Sequence, residues 1–308
     1  MWRGRLNMLH PRLKPLEQLF SPSPIQRIFS PILEKKDIEL WVKRDDLIHP
    51  IISGNKWRKL KFILHHALKI ESHTIISMGG AYSNHLHALA YVGQQLQVKT
   101  IGYIRGEKPV VMNATLKDLQ AWGMELRFIS RVDYRVLRQY KNADALPEIK
   151  DGEYWLPEGG STELALQGVG EIITEIDMDF DVVCVPCGTG TTLAGLIGSM
   201  DETCCAVGFS ALKGGEFLVG DVEKLLNIKK VNWGVKLDYH FGGFAKSNDE
   251  LLSFIEVFVR QHNIELEPVY TGKMFYGLLD LIETDFFKPG QKIVAIHTGG
   301  LQGKRKTD

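Results

Sequence analysis

Hydrophobic residues recur with two different periods along this chain, and the two kinds of segment alternate. Short apolar runs rich in β-branched residues predict seven strands, at 38–43, 73–78, 99–104, 125–130, 181–186, 205–210 and 292–297. Between them, apolar residues repeat at helical spacing over 56–69, 84–97, 113–122, 162–175, 191–199, 248–262 and 273–283. Strands that alternate with helices over short connections are typical of an α/β fold built on parallel sheets.

Composition agrees with that fold and excludes other classes of protein. The 308 residues are 44% hydrophobic, which is enough for the core of one large or two medium domains. Lysine plus arginine and aspartate plus glutamate both number 37, so no broad basic surface is available for nucleic acid. No apolar run reaches the length of a membrane span, and the first twenty residues lack the apolar stretch of a signal peptide. We therefore expect a cytoplasmic protein with no nucleic-acid or membrane partner.

The four cysteines indicate packing more than chemistry. Cys184 and Cys187 have the spacing of half a zinc site, but Cys204 and Cys205 are adjacent and do not complete it. The run "VVCVPC" also has the pattern of a buried strand, in which cysteine packs as a small apolar residue. We predict neither a metal site nor a disulfide.

Three predicted strands run into polar, glycine-rich sequence. These continuations are "GGAYSNH" at 79–85, "CGTGTT" at 187–192 and "TGG" at 298–300. Because ligands bind outside the carboxyl ends of strands in open α/β sheets, the three segments are candidates for the walls of one site. Each segment taken alone also fits a plain tight turn.

The second of these segments has the features of a phosphate cradle. Its glycines let the backbone approach a ligand closely, its threonines supply hydroxyls, and the next helix supplies free N–H groups. No Gly-Lys-Ser/Thr follows, and Leu193 stands where a dinucleotide fingerprint has its third glycine, so a single phosphate group is expected. The loop residues are Gly188, Thr189, Gly190, Thr191 and Thr192.

Ser83 stands at the predicted start of the next helix after the first segment. A serine there is commonly an N-cap. Alternatively, Ser83, Asn84 and the helix amides form a second anion site that holds a carboxylate. The sequence leaves both interpretations open.

Lys56 lies on the first turn of a predicted helix, in "SGNKWRKLKF" (53–62), beside Arg58 and Lys59. Neighbouring cations and the positive end of a helix both disfavour the ammonium form, so we expect a lowered pKa for Lys56. A partly neutral lysine is a nucleophile and can form a Schiff base. A Schiff-base lysine and a monophosphate cradle in one α/β chain indicate pyridoxal 5'-phosphate as the cofactor.

Six segments, in order from about 43 to 303, resemble motifs of one family. They are "KRDDLIHPIISGNKWRKLKF", "GGAYSNH", "LPEGGSTELALQGVGE", "CGTGTTLAGL", "PVYTGKMFYGLLDL" and "IHTGG". The family is that of 1-aminocyclopropane-1-carboxylate deaminase and D-cysteine desulfhydrase, pyridoxal-phosphate enzymes of the tryptophan-synthase-β fold type. The resemblance implies a two-domain, open parallel-sheet α/β fold, with the cofactor between the domains, and a homodimer. On this basis we expect a large cofactor-binding domain of residues 1–55 and 160–308, and a small inserted α/β domain of residues 56–159.

The same resemblance implies roles for individual residues. It makes Lys56 the Schiff-base lysine and counts Lys56, Ser83 and Tyr270 as catalytic. The residues that it assigns to the cofactor are Asn55, Lys56, the loop 188–192 and Thr298. The residues that it assigns to a small amino-acid substrate are Ser83, Asn84, His85, Tyr270 and Thr271.

Thr271 and Thr298 favour one branch of the family. The ring-opening deaminases carry a glutamate at the first position, which pairs with the pyridine nitrogen, and an apolar residue at the second. A carboxylate keeps that nitrogen protonated and makes a strong electron sink, whereas a hydroxyl makes a weaker one that suffices to expel a thiolate. We therefore predict α,β-elimination from D-cysteine to pyruvate, ammonia and sulfide.

Several alternatives stay open. They are deamination of 1-aminocyclopropane-1-carboxylate, β-replacement by a synthase of the same fold, a catalytically weak protein that binds pyridoxal phosphate, and a binder of phosphorylated metabolites. Two departures from the family pattern bear on them. Phe244 stands where a second active-site tyrosine is usual, and His87 stands where the desulfhydrases tend to carry arginine.

Overall fold

The computed structural model describes residues 9–140 and 149–304. One sheet contains six strands: β1 (Ile25–Ile28), β2 (Glu39–Lys43), β7 (Val182–Cys187), β8 (Cys205–Ser210), β9 (Trp233–Lys236) and β10 (Lys292–Ile296). Their spatial order is β1-β2-β10-β7-β8-β9, and every neighbouring pair is parallel except β1 with β2. The chain thus enters this sheet, leaves it for more than a hundred residues and returns to it.

The second sheet is formed by the intervening part of the chain. Its strands are β3 (Thr74–Gly79), β4 (Lys99–Arg105), β5 (Glu125–Ile129) and β6 (Glu153–Leu156), in the order β5-β4-β3-β6 and all parallel. All four strands lie inside the segment 56–159. The domain limits themselves stay a prediction, and residues 1–8, 141–148 and 305–308 of those domains lie outside the described residues.

Eleven α-helices connect the strands in the part of the chain that the structure describes. They are α1 (Lys14–Glu17), α2 (Pro31–Lys35), α3 (Asn55–Lys69), α4 (Asn84–Leu96), α5 (Ala114–Ala121), α6 (Arg131–Leu137), α7 (Glu163–Thr174), α8 (Thr191–Ser199), α9 (Phe217–Leu226), α10 (Asp249–His262) and α11 (Thr271–Glu283). All seven predicted helices and all seven predicted strands are confirmed, with limits that differ by at most two residues.

The sequence patterns missed three strands and four helices. The strands β1, β6 and β9 have four residues each and lie at the edges of their sheets. Four residues are the shortest run over which a strand repeat can be recognised, so periodicity alone does not reveal these strands. Two of the missed helices, α1 and α2, have only four and five residues, too few to establish a helical repeat.

The core of the larger sheet lies on both of its faces. Along β10, Ile293 and Ala295 pack with α10 and α11 on one side, while Val294 and Ile296 pack with α7, α8 and α9 on the other. This alternation is expected of a strand that is covered on both faces. Cys184 and Cys187 are buried in β7, which confirms the interpretation of "VVCVPC" as a core strand. Across the described residues, no helix combines the length and the apolar character that a membrane span requires.

Candidate active site

The start of α3 is held against the end of β10. Gly54 has φ +68°, and a Cβ on it would lie 1.8 Å from the carbonyl oxygen of Thr298. The amide of Gly54 donates to the Asp45 carbonyl at 2.8 Å, and the amide of Asn55 donates to the Thr298 carbonyl at 3.3 Å. Only glycine allows this close approach with a positive φ. The contact places Lys56 at the carboxyl edge of the larger sheet.

Lys56, Asn55 and the predicted phosphate loop form one hydrogen-bonded chain. The Lys56 Nζ donates to the Asn55 Oδ1, and the Asn55 Nδ2 donates to the Thr192 Oγ1 at 2.8 Å. Asn55 and Thr192 are both buried. Two segments that lie 137 residues apart in sequence therefore meet at the lysine.

The lowered pKa of Lys56 is confirmed, but its main cause is burial. Burial lowers the pKa from its usual 10.5 to about 8, and the negative charge of Glu267 opposes part of that change. The expected causes, crowding by Arg58 and Lys59 and the positive end of the helix, are not the main ones, and Arg58 in particular is neutralised by two carboxylates. Its Nη2 lies 3.2 Å from the Asp45 Oδ1 and 2.7 Å from the Glu175 Oε2.

Lys59 is a site residue that the sequence analysis did not assign. Its side chain is buried, and its Nζ lies 3.4 Å from the carbonyl oxygen of Gly159. Burial, reinforced by the charge of Lys56, lowers the pKa of Lys59 to about 7. No carboxylate pairs with Lys59 within residues 9–140 and 149–304. The sequence feature that could have identified Lys59 is its i+3 spacing from Lys56, which puts both amines on one helix face.

The loop 188–192 has the features of an anion cradle. It links β7 to α8, whose first-turn N–H groups have no partners inside the helix. The Thr189 and Thr191 hydroxyl oxygens lie 2.9 Å apart, and the Thr191 Oγ1 donates to the Ser161 Oγ at 3.0 Å. The turn at 158–160 approaches this loop, because a Cβ on Gly159 would lie 3.0 Å from the Thr189 Cγ2.

The two glycines of the loop are subject to different structural constraints. Gly190 has φ +73°, and its Cβ would lie 2.7 Å from Val222 of α9, so backbone conformation and helix packing require it. A Cβ on Gly188 would lie 3.1 Å from the ring of Tyr270. Tyr270 therefore contacts the loop, which brings together two segments that the sequence assigned to one site.

The segment 79–85 confirms the N-cap interpretation of Ser83. The Ser83 Oγ accepts from the Leu86 amide at 3.2 Å, and its hydroxyl hydrogen stays available. The Asn84 Oδ1 accepts from the Gln302 Nε2. The first amides of α4 remain without helical partners, as at any helix start. The cap and a carboxylate site are therefore compatible.

His85 is neutral in this site. Burial and the charges of Lys59 and Lys56 lower its pKa to about 3. The Ser77 Oγ donates to the Leu156 carbonyl at 2.8 Å, so it accepts from the His85 Nε2 at 2.9 Å. The proton of the imidazole therefore lies on Nε2. A neutral ring supplies no positive charge to an anion in the site.

Glu267 is a second residue that the sequence analysis did not assign. It is buried, and its carboxylate accepts from the amides of Val269, Tyr270 and Thr271 at 2.7 to 2.8 Å, which caps the start of α11. Burial raises the pKa of Glu267, while these hydrogen bonds oppose the change. Burial also raises the pKa of Tyr270, whose phenol is protonated.

The two threonines that discriminate between branches of the family are both buried. The Thr271 hydroxyl donates to the Glu267 Oε1 at 3.2 Å and accepts from the Glu267 amide at 3.1 Å. Its assignment to the substrate stays a prediction. Thr298 follows β10, and its carbonyl contacts the start of α3.

The two departures from the family pattern lie in different places. The ring of Phe244 is half exposed and meets the ring of Tyr270 edge to face, with centroids 5.9 Å apart. His87 is buried between α4 and α5, where its Nε2 lies 2.8 Å from the Asp118 Oδ2. Phe244 therefore packs its ring on a predicted site residue.

These groups suit a phosphorylated aldehyde. A lysine with a lowered pKa offers a free amine. A second buried lysine, with no carboxylate partner among the described residues, stands beside a loop with hydroxyls and a helix N-terminus. The family model described as "Pyridoxal-phosphate dependent enzyme" matches residues 16–299. The chain belongs to this family of enzymes. Its cofactor is therefore pyridoxal phosphate, as predicted.

Relatives and solved structures agree with the family. A Pyrococcus horikoshii protein, named provisionally as a 1-aminocyclopropane-1-carboxylate deaminase, is 33% identical and aligns over 86% of this chain and 85% of its own. The Arabidopsis thaliana bifunctional D-cysteine desulfhydrase/1-aminocyclopropane-1-carboxylate deaminase, mitochondrial, is 32% identical over 98% of this chain and 81% of its own. A crystal structure of an ACC deaminase homologue matches with a TM-score of 0.77 and 29% identity, over 96% of this chain and 97% of that one. The predicted fold class and the family resemblance are confirmed.

Proposed function

We propose that this enzyme catalyses α,β-elimination from a small β-substituted amino acid, and that D-cysteine is its substrate. The observation that carries the proposal is the pair Thr271 and Thr298, two buried hydroxyl residues where the ring-opening enzymes have a glutamate and an apolar residue. The reaction converts D-cysteine and one water into pyruvate, ammonia and hydrogen sulfide.

Different residues of the site hold different parts of the cofactor. Lys56 attaches it covalently, and Asn55 and Thr298 lie beside that attachment point. The phosphate is held by the loop 188–192, with the Lys59 ammonium as its counter-charge. When bound, the cofactor supplies an electron-withdrawing pyridine ring that accommodates the electron pair left at Cα on loss of a proton.

Lys56 is the base of the reaction. Its pKa of about 8 leaves roughly a tenth of the amine free at pH 7, far more than an ordinary lysine has, and a base is most efficient when its pKa lies near the working pH. The free amine takes the proton from Cα, and the thiolate then leaves the β-carbon. A thiolate is a good leaving group, so a weak electron sink is sufficient.

Ser83 and the first amides of α4 orient the substrate through its carboxylate. The Ser83 Oγ already accepts from the Leu86 amide, so its hydroxyl hydrogen can donate to the carboxylate. The helix N-terminus adds a favourable dipole. Protonated Tyr270, which contacts the phosphate loop at Gly188, offers a further donor.

Ring opening of 1-aminocyclopropane-1-carboxylate is the second candidate. It is favoured by the names of the Pyrococcus horikoshii relative and of the solved homologue. The buried Glu267 carboxylate also favours it, because it lies one hydrogen bond behind Thr271 and contributes negative charge to the site. The name of the Arabidopsis relative includes both activities.

The deciding experiment measures ammonia release from D-cysteine, L-cysteine, β-chloro-D-alanine and 1-aminocyclopropane-1-carboxylate side by side, with Lys56→Ala as the blank. We expect turnover of D-cysteine and β-chloro-D-alanine and little from the other two. A preference for the cyclopropane or for L-cysteine would overturn the proposal. Turnover of β-chloro-D-alanine without D-cysteine would keep the elimination mechanism and discard the substrate.

A further inference from the structure

The segment 240–246 carries Phe244 and folds as two successive tight turns. The Gly243 amide donates to the His240 carbonyl at 3.0 Å, and the Lys246 amide donates to the Gly243 carbonyl at 3.1 Å. The first turn thus ends at the residue where the second begins. Phe244 lies in the second turn and points its ring edge to face at Tyr270.

The backbone of these turns is unfavourable by itself. Four of its residues have positive φ: Phe241 at 50°, Gly242 at 90°, Gly243 at 118° and Ala245 at 54°. Phe241 and Ala245 carry side chains that disfavour this conformation. Such a backbone persists only where the surrounding structure holds it in place.

Lys273 is the group that holds it. Its side chain is 1% exposed, and its Nζ donates to the His240 carbonyl at 2.8 Å and to the Gly243 carbonyl at 2.8 Å. These are the same two carbonyls that close the turns. A lysine ammonium suits this task because it is compact and has three donors on one atom.

Lys273 also connects the turns to the site. It lies on the first turn of α11, three residues after Tyr270, so the two side chains project from adjacent positions of one helix start. Tyr270 in turn has two neighbours: its ring packs against Phe244 of the turns, and it also contacts Gly188 of the phosphate loop. A displacement of the turns would move Phe244 and leave Tyr270 without its neighbouring ring.

We propose that Lys273 is a positioning residue, which holds the turns 240–246 so that Phe244 packs on Tyr270 and the two rings form one wall of the substrate site. The proposal rests on the proposed function in one respect, namely that Tyr270 contacts the substrate. The contacts of the Lys273 ammonium are with the two backbone carbonyls of the turns, so its effect on the site acts through those turns.

The first test needs no substrate. Lys273→Met keeps the length of the side chain and removes its donors, and hydrogen exchange followed by mass spectrometry reports on the backbone. We expect faster exchange of the amides in 241–246 and unchanged exchange within 275–283 of α11. Lys246→Met is the matched control, because this lysine is exposed in the same turns. Exchange of 241–246 that equals the wild type would overturn the proposal.

The second test links the turns to catalysis through a double-mutant cycle. With whichever substrate the enzyme turns over, we expect Lys273→Met to lower kcat/KM by up to about 10²-fold, as misplacement of a site group does. In a Phe244→Ala background, Lys273→Met should lower kcat/KM by no more than about a further twofold, because the ring that Lys273 positions is absent. Independent, multiplying losses would overturn the proposal.

The two tests separate this inference from the proposed function. Faster exchange in 241–246 with unchanged kcat/KM would show that Phe244 and Tyr270 do not bound the substrate, which refutes the positioning role. Absence of turnover on D-cysteine refutes only the substrate assignment. If Lys273→Met does not fold, Lys273→Gln should show the same changes in weaker form, because its shorter side chain cannot place one donor atom against both carbonyls. An unchanged Gln variant would contradict the role, since the role requires both hydrogen bonds.

Discussion

At the scale of single residues, the chemistry of this site depends on burial of ionisable groups. Lys56 and Lys59 lie one helical turn apart, and burial lowers the pKa of each, to about 8 and about 7. His85 nearby is neutral for the same reason. Among the described residues no carboxylate pairs with Lys59, and we propose the cofactor's phosphate as its partner. Burial therefore favours the free amine of Lys56 and leaves Lys59 suited to binding an anion.

The pH dependence of cofactor attachment follows from the pKa of Lys56. The neutral amine is the attacking form, so the rate at which cofactor-free protein takes up pyridoxal phosphate should rise with pH and level off above about 8. An ordinary lysine, with a pKa near 10.4, would still be gaining free amine at pH 9. Stopped-flow absorbance measures this rate.

Borohydride reduction and peptide mapping then identify the attachment point. We expect the phosphopyridoxyl group on Lys56, and Lys56→Ala should fold normally without forming the adduct. An adduct on Lys59 or Lys61 would contradict this assignment.

At the scale of elements, the site consists of segment starts and ends held together by backbone contacts. The start of α3 packs on the end of β10, and the start of α11 is capped by Glu267. The start of α4 is capped by Ser83. Each helix therefore directs its first turn, where N–H groups have no helical partners, to the carboxyl edges of the strands.

Ser83→Asp separates capping of α4 from substrate binding. Aspartate caps a helix about as well as serine, but it repels a carboxylate. We expect an unchanged thermal midpoint and an apparent substrate affinity that is weaker by about tenfold or more, since the repulsion replaces a charge-assisted hydrogen bond. Thermal unfolding and steady-state kinetics measure the two effects.

A matched change at another cap controls for the added charge. Asn248 caps α10 through the Leu251 amide, and Asn248→Asp should leave kinetics unchanged. If Ser83→Asp also leaves the kinetics unchanged, Ser83 is only a cap.

At the scale of the whole molecule, a buried ionic network connects the lysine helix to the larger sheet. Arg58 of α3 binds Asp45, which follows β2, and Glu175, which ends α7. Lys43 of β2 is also buried and lies 2.9 Å from the Glu175 Oε2. The network holds α3 in the orientation that directs Lys56 into the site.

Arg58→Met should therefore destabilise the protein strongly. It leaves Asp45 buried without a cationic partner, and breaking a buried pair costs about 3–5 kcal/mol. Lys61→Met is the control, because Lys61 of the same helix pairs with the more exposed Glu17 and Glu171, and such pairs contribute about 0–1 kcal/mol. Chemical denaturation measures the free energy of unfolding of both variants. Equal decreases in the two would show that the ionic network is not the stabilising feature.

Much of the fold was predictable because local sequence reports on local burial. The alternation of strand and helix patterns identified seven strands and seven helices but missed the ten-residue α9, and glycine-rich strand ends identified the loops of the site. Lys56 could be assigned because its segment carries a motif. The edge strands β1, β6 and β9 could not be predicted, since pairing with a neighbouring strand, rather than their own pattern, makes them strands.

The sequence by itself determined the α/β class, the order of the elements that it predicted and the family, and it singled out Lys56 as the predicted reactive lysine. Only the tertiary structure decided the burial, hydrogen bonds and ion pairs that surround those residues. Asn55 meets Thr192 across 137 residues of sequence, and Arg58 meets Glu175 across 117. Glu267 and Lys59 joined the site only because distant segments bury them. The physical reason is that desolvation and ion pairing depend on what packs around a group, and those neighbours come from the other end of the chain.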